Sequence, residues 1–150
     1  MRNPRIDQTD ARILDALQEQ GRMPFAELGR KIGLSQPAMS ERVKRLEDSG
    51  VIAGYSVRLS RAALGLGLGA IIRLATDHSN IQRCMEKLRS MPSVVEVLRV
   101  TGEDCLYIRI AVQDAGALEA VVDSLARYGL VKTSVILSEE TMKTRVLTEG

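Results

Sequence analysis

The sequence has few of the residues from which metal sites and hydrolytic active sites are built. It contains two cysteines and one histidine in 150 residues. Cys84 and Cys105 fit no metal-binding spacing, so we expect no metal site, and reduced thiols point to the cytoplasm. The histidine, His78, lies in the polar stretch TDHSN, and the chain has no HExxH, GxSxG or Ser/His/Asp set. No catalytic residue is therefore predicted.

Long hydrophobic runs are also missing. No apolar stretch approaches the ~20 residues that a membrane-spanning helix needs. The N-terminus, MRNPRIDQTD, has no apolar segment of the kind found in signal peptides. Gly65, Gly67 and Gly69 form a GxGxG pattern, but no strand-to-helix unit and no GK[ST] follow it, so we reject a phosphate-binding loop. A soluble globular protein without a membrane partner is expected.

The net charge is small, at +2, but it is unevenly distributed. Residues 1–60 hold ten Lys/Arg and eight Asp/Glu, whereas residues 61–150 hold eleven of each. The whole excess of positive charge therefore lies in the first 60 residues. This mildly favours a nucleic-acid-binding segment there.

Three helices are predicted in this first segment. Residues 7–20 have an apolar stripe at helical spacing, with Asp7 or Thr9 as the cap. A second helix begins near Pro24 and ends at Gly33. The third, within LSQPAMSERVKRLEDSG at residues 34–50, begins at the cap Ser35. Two helices joined by a short turn, the second one more basic, predict a helix-turn-helix over about residues 25–44.

The third helix has distinct inner and outer faces. Met39, Val43 and Leu46 recur at helical spacing and are predicted to face the core. The outward positions carry mostly polar and basic side chains, with Arg42 on the border: Gln36, Ser40, Glu41, Lys44, Arg45 and Asp48. Such a helix suits a DNA major groove, although many solvated surface helices share the pattern. After it, residues 51–59 alternate in the manner of two short strands, which predicts a wing with Arg58 near DNA.

The second half is predicted to form a βαββαβ unit, the ferredoxin-like or split-βαβ arrangement. The expected strands are residues 70–75, 94–101, 105–112 and 131–137, and the helices are capped by Ser79 and Asp114. The predicted domains are therefore 1–60, a glycine-containing linker at 61–68, and 69–150. The fold class is α+β.

One face of this sheet is left without helices to cover it. We expect that face to carry Tyr107, Val97 or Leu98, and Ile136. An uncovered apolar face favours a partner surface, and the simplest partner is a second copy of the chain. The sequence therefore predicts a two-fold homodimer, which would present two third helices to a pseudo-palindromic DNA site.

These segments resemble one known family. The stretches IDQTDARILDALQEQGRM, ELGRKIGLSQPAMSERVKRLEDSGVIAGYSVRL and RVTGEDCLYIRI are similar to Lrp/AsnC transcription regulators over residues 6–142. The resemblance implies a winged helix-turn-helix joined to a ligand-binding, dimerising (RAM/ACT-like) domain. It also implies binding to an operator in double-stranded DNA, assembly of dimers into rings such as octamers, and a small effector, usually an amino acid, with no other cofactor.

The resemblance places the DNA-reading residues on the third helix. Arg42, Lys44, Arg45 and first-turn amides would contact phosphates, whereas base edges would be read near the N-terminal end. The predicted DNA-binding residues are Ser35, Gln36, Ala38, Ser40, Glu41, Arg42, Lys44 and Arg45. For Arg42 an alternative is an internal salt bridge with Glu27 or Asp10, which would fix the helix instead.

The resemblance places the effector at the turn between the second and third strands, at Thr101, Gly102, Glu103, Asp104 and Cys105. Many family members carry an Asp three residues after the glycine, where this chain has Cys105. An amino-acid ammonium group needs a carboxylate, so Glu103, Asp104 or a different ligand are the alternatives.

Two other functions are alternatives to transcription regulation. Siroheme decarboxylases share this two-domain layout, and a loop histidine such as His78 would be the acid/base candidate in an enzyme. A loop histidine beside a helix cap is more often solvated than catalytic, so we expect no enzyme. The third alternative, a metabolite sensor that does not bind DNA, is disfavoured by the intact third helix.

Overall fold

A computed structural model describes residues 5–146 and 148. Its helices are α1 (Gln8–Glu19), α2 (Phe25–Ile32), α3 (Gln36–Asp48), α4 (His78–Arg89) and α5 (Ala115–Ala126). Its strands are β1 (Leu68–Ala75), β2 (Val94–Arg99), β3 (Leu106–Val112) and β4 (Leu130–Val135). A short 3₁₀ helix, Ala62–Leu64, lies just before β1.

The first three helices enclose a small core of their own. Asp7 caps α1 in a capping box, where its side chain accepts from the Asp10 amide and the Asp10 side chain accepts from the Asp7 amide. Gly33 ends α2 at φ 90°, a conformation that glycine adopts without a steric cost. The α3 stripe is buried as predicted, because Met39, Val43 and Leu46 are at most 2% exposed.

The predicted wing hairpin is absent from residues 51–60, which contain no strand. Tyr55, Val57 and Leu59 are 55%, 82% and 68% exposed. The backbone of residues 53–59 makes no hydrogen bond to another backbone group among the described residues. The prediction of two strands was wrong because a strand needs a neighbour for its backbone groups, and these residues have none within the described chain.

The second group of elements follows the predicted βαββαβ order, which confirms the α+β fold class. Its sheet is antiparallel throughout and has the strand order β2-β3-β1-β4. One face packs against α4 and α5, with Ile72, Leu74, Ile108 and Leu125 fully buried. The N-cap of α4 is Asp77 and not Ser79, since the helix begins at His78, two residues earlier than predicted.

The other sheet face, here called the outer face, has no helix on it among the described residues. Register places Leu98 opposite Tyr107 and Val97 opposite Ile108, so of the two alternatives Leu98 faces outward and Val97 faces the core. Leu98 is 51% exposed. Arg109 on the same face pairs with Glu96 at 3.4 Å, so the face mixes apolar side chains with paired charges.

The described residues from Thr141 onward group with the first helices and not with the sheet, which differs from the predicted domain boundaries. Among the described residues, the two compact units are residues 5–58 with the C-terminal tail from Thr141, and residues 59–140. Gln18 explains the grouping, because its amide donates to the Thr144 carbonyl at 3.0 Å and accepts from the Thr144 amide at 2.8 Å. Lys143 also pairs with Glu19, and Val146 packs on the helical core.

Across the described residues, none of the helices combines the length and hydrophobicity needed to cross a bilayer.

Candidate nucleic-acid interface and effector turn

The outer side of α3 exposes most of the predicted base-reading residues. Gln36, Ser40 and Glu41 are exposed, and Ala38 is half-buried. Ser35 caps the helix, since its hydroxyl accepts from the Ala38 amide at 3.4 Å. The amides of the first turn have no partner within a helix, so this end can donate hydrogen bonds to a phosphate.

Gly29 fixes how closely α2 approaches the turn that leads into α3. A Cβ atom at this position would lie 2.6 Å from the Leu34 carbonyl oxygen, closer than real Cβ contacts. The backbone of α2 and the turn can therefore pack this tightly only because residue 29 has no side chain. The close packing sets where the cap Ser35 and the first turn of α3 lie.

A buried carboxylate, Asp10 of α1, joins α1 to α3. Asp10 is 1% exposed and is the buried charged residue of the helical core. Arg42 donates to Asp10 Oδ1 at 2.8 Å and to Asp7 Oδ2 at 2.7 Å. Arg45 donates to both Asp10 oxygens at 3.0 Å. The internal salt bridge weighed for Arg42 is therefore present, with Asp10 as the partner and not Glu27.

These contacts shift the pKa values of Asp7 and Arg42. The hydrogen bond from Arg42, with a smaller contribution from the Asp10 amide, holds the pKa of the Asp7 carboxyl below its usual range. The hydrogen bond that Arg42 donates to Asp7, followed by the one that it donates to Asp10, raises the pKa of the Arg42 guanidinium. Both shifts favour the charged forms, so the contact between Asp7 and Arg42 is an ion pair at neutral pH.

The remaining cations of α3 differ in how they are held. The Arg45 side chain is 58% exposed even though it is tied to Asp10. Lys44 is exposed and makes no ion pair with the described residues. At the far end of the helix, Tyr55 donates to Glu47 at 2.7 Å, which attaches residue 55 to α3.

The predicted effector residues form one continuous turn between β2 and β3. Thr101, Gly102 and Glu103 are exposed, and Gly102 has φ 117°. Asp104 is largely covered and lies 3.6 Å from Arg73 on β1. The Cys105 thiol donates to the Thr76 carbonyl at 3.1 Å. Of the two carboxylates in the turn, Glu103 is the one that faces solvent.

Sequence reasoning missed the pairing of Asp7 with Arg42 and the contacts of Gln18, Glu19 and Tyr55. A signal for the network was present, because Asp10 lies on an otherwise apolar face of α1 and a buried carboxylate needs a cation. No comparable signal exists for Gln18, whose partner is a backbone segment 126 residues away.

Two family models match the chain. Residues 6–47 match the AsnC-type helix-turn-helix domain, and residues 69–146 match the Lrp/AsnC ligand binding domain. The second model therefore extends across the tail that packs on the first unit.

Named relatives agree with these matches. The HTH-type transcriptional regulator LrpC of Bacillus subtilis is 30% identical over 90% of this chain and 94% of its own length. Its solved structure superposes with a TM-score of 0.86, covering 95% of this chain and 100% of that one. The regulator Rv2324 of Mycobacterium tuberculosis is 36% identical over 89% of this chain and 93% of its own.

A further solved structure, the L-Met complex of transcriptional regulator NMB0573 from Neisseria meningitidis, is 30% identical. It covers 94% of this chain and 96% of that one, with a TM-score of 0.85. These relatives are named as regulators, which agrees with the expectation that the chain is a regulator and not an enzyme. The chain belongs to the Lrp/AsnC family of transcriptional regulators.

Proposed function

We propose that this protein acts in the cytoplasm as a homodimer that reads a pseudo-palindromic DNA operator with two copies of α3. The observation that carries the proposal is the division of α3 into a fully buried stripe and an exposed polar face that begins at a capped first turn. On this proposal Gln36, Ala38, Ser40 and Glu41 contact base edges, and Ser35 and Lys44 contact phosphates. Arg45 contacts a phosphate while it remains hydrogen-bonded to Asp10.

Two surfaces support a dimer. Leu98 and Leu130 expose 51% and 65% of their surface, and with Tyr107 they lie on the outer face beside ion-paired arginines. Aromatic and arginine side chains among aliphatic ones are common in protein interfaces. Residues 53–59 expose alternate apolar side chains and unpaired backbone groups, which a two-fold copy of the same segment can satisfy.

An amino-acid effector at the turn 101–105 is the second part of the proposal. The solved relative NMB0573 is described in complex with L-Met. In this chain Asp104 is paired with Arg73 and Cys105 bonds the Thr76 carbonyl, so Glu103 is the carboxylate proposed for a ligand ammonium group. We propose that the ligand binds between dimers arranged in a ring, such as an octamer.

Effector binding would act on DNA binding through the packing of dimers. A changed packing would alter the spacing between α3 helices and hence operator affinity. Coupling of this kind is reciprocal, so DNA must change effector affinity by the same factor.

The test uses a DNA duplex selected by the wild-type protein from a random library. We expect fluorescence anisotropy to give tighter binding to this duplex than to a scrambled one, and binding that weakens with salt. Gln36→Ala should reduce the preference, whereas Gln113→Ala, at an exposed position in the other unit, should not. Equal affinity of the wild type for both duplexes would disprove the assignment of α3 as the reader.

The effector is tested on the same duplex with L-methionine and a panel of other amino acids. Glu103→Gln should abolish any response, while the wild-type and mutant affinities without ligand stay equal. A response that survives in Glu103→Gln would show that this carboxylate does not hold the ammonium group.

A further inference from the structure

Asp10 lies beneath α3 and is shared by two of its arginines. Its carboxylate, 1% exposed, accepts from Arg42 on one oxygen and from Arg45 on both. A buried carboxylate is stable only when its charge is compensated, so both guanidinium groups are held in place. Since Arg42 and Arg45 are three residues apart on one helix, the shared carboxylate also resists rotation of α3 about its own axis.

The same contacts neutralise positive charge on α3, the proposed DNA-reading helix. Helix α3 carries three cations, Arg42, Lys44 and Arg45. Asp7 and Asp10 balance the two arginines in formal charge, and Lys44 is the cation of α3 that has no acidic partner among the described residues. Phosphate attraction acts on every DNA sequence and supplies essentially all of non-specific binding, so this compensation weakens non-specific binding.

We propose that Asp10 is a specificity-determining residue: it neutralises the arginines of α3 and fixes the orientation of its base-reading side. The inference rests on the proposed role of α3 as the DNA reader and adds a residue that touches no DNA. It makes an unusual prediction for the loss of a buried acid, namely tighter binding to the wrong DNA.

The test is Asp10→Asn, which removes the charge while keeping nearly the same shape. Affinity is measured for the selected duplex and for a scrambled duplex over a series of salt concentrations. We expect the scrambled duplex to bind more tightly and its salt dependence to steepen by about one phosphate contact, a change of ~0.9 in the log–log slope. The ratio of selected to scrambled affinity should fall roughly tenfold, as on loss of one base contact.

Two matched variants separate this role from a general effect of charge. Asp15→Asn makes the same charge change at an exposed position of α1, and it should leave the affinity ratio unchanged. Asp7→Asn removes only the exposed partner of Arg42, so we expect a smaller change in the same direction as Asp10→Asn with the fold intact.

The outcomes are distinct. If Asp10→Asn does not fold, Asp7→Asn decides the question by the same ratio. An unchanged ratio in the folded variant, or an equal change in Asp15→Asn, would overturn the inference. A wild-type protein that did not distinguish the two duplexes would instead overturn the proposed function.

Discussion

The ion-pair network between α1 and α3 depends on a single buried carboxylate, that of Asp10. From the sequence, Arg42 could either contact a DNA phosphate or form an internal salt bridge, for which Asp10 was one of the candidate partners. The sequence could not choose between them, because a DNA phosphate and a buried carboxylate satisfy a guanidinium equally well. The choice depends on whether α1 brings Asp10 within reach, which is a property of helix packing.

The titration of Asp7 gives a prediction for acid stability. Because Arg42 lowers the Asp7 pKa in the folded state, the pair stabilises the protein above the ordinary value of 3.8 and loses that contribution as the pH falls through the folded pKa. The difference in free energy of unfolding between wild type and Asp7→Asn should therefore be constant near neutral pH and shrink below pH 3.8. Urea unfolding at a series of pH values measures it. A difference that grew on acidification would contradict the assigned direction.

The sequence predicts where helices and strands lie better than it predicts which segments pair with one another. The three helices, the cap Ser35 and the βαββαβ order follow from apolar spacing and turn residues, because these signals are local. The failure at residues 51–59 is instructive, since Tyr55, Val57 and Leu59 alternate as in a strand. Local pattern shows that such a segment can pair, but it does not show which backbone the segment will pair with.

The C-terminal tail, the described residues from Thr141 onward, is attached to α1 by hydrogen bonds whose contribution to stability can be measured. Gln18→Ala removes both hydrogen bonds to Thr144, and we expect a loss of about 1 kcal/mol in stability. Amide hydrogen exchange should show the Thr144 amide losing protection in this variant. Gln20→Ala is the control, because Gln20 is the C-cap of the same helix and its side chain makes no hydrogen bond to another described residue. Unchanged protection at Thr144 would show that Gln18 does not hold the tail.

At the scale of the whole molecule, the prediction concerns assembly. A charge placed at Leu98, which is 51% exposed on the outer face, should weaken the proposed dimer because an interface would have to bury it. We expect Leu98→Asp to lower the molar mass measured by light scattering at dilute concentration. Ala120→Asp, on the exposed side of α5 in the helical layer, should keep the wild-type mass. An unchanged dimer mass in Leu98→Asp would show that the outer face is not the interface, which leaves residues 53–59 as the proposed dimer contact.

The return of the tail to the first unit also has a consequence for synthesis. Residues 5–58 are translated before the sheet unit, yet Val146, which packs against their hydrophobic core, and Thr144, the partner of Gln18, are translated after it. The sheet unit, residues 59–140, is continuous and emerges in between. The DNA-reading unit therefore acquires its full set of contacts only after the sheet unit has been translated, and prematurely terminated chains carry a helix-turn-helix whose own folding unit is incomplete.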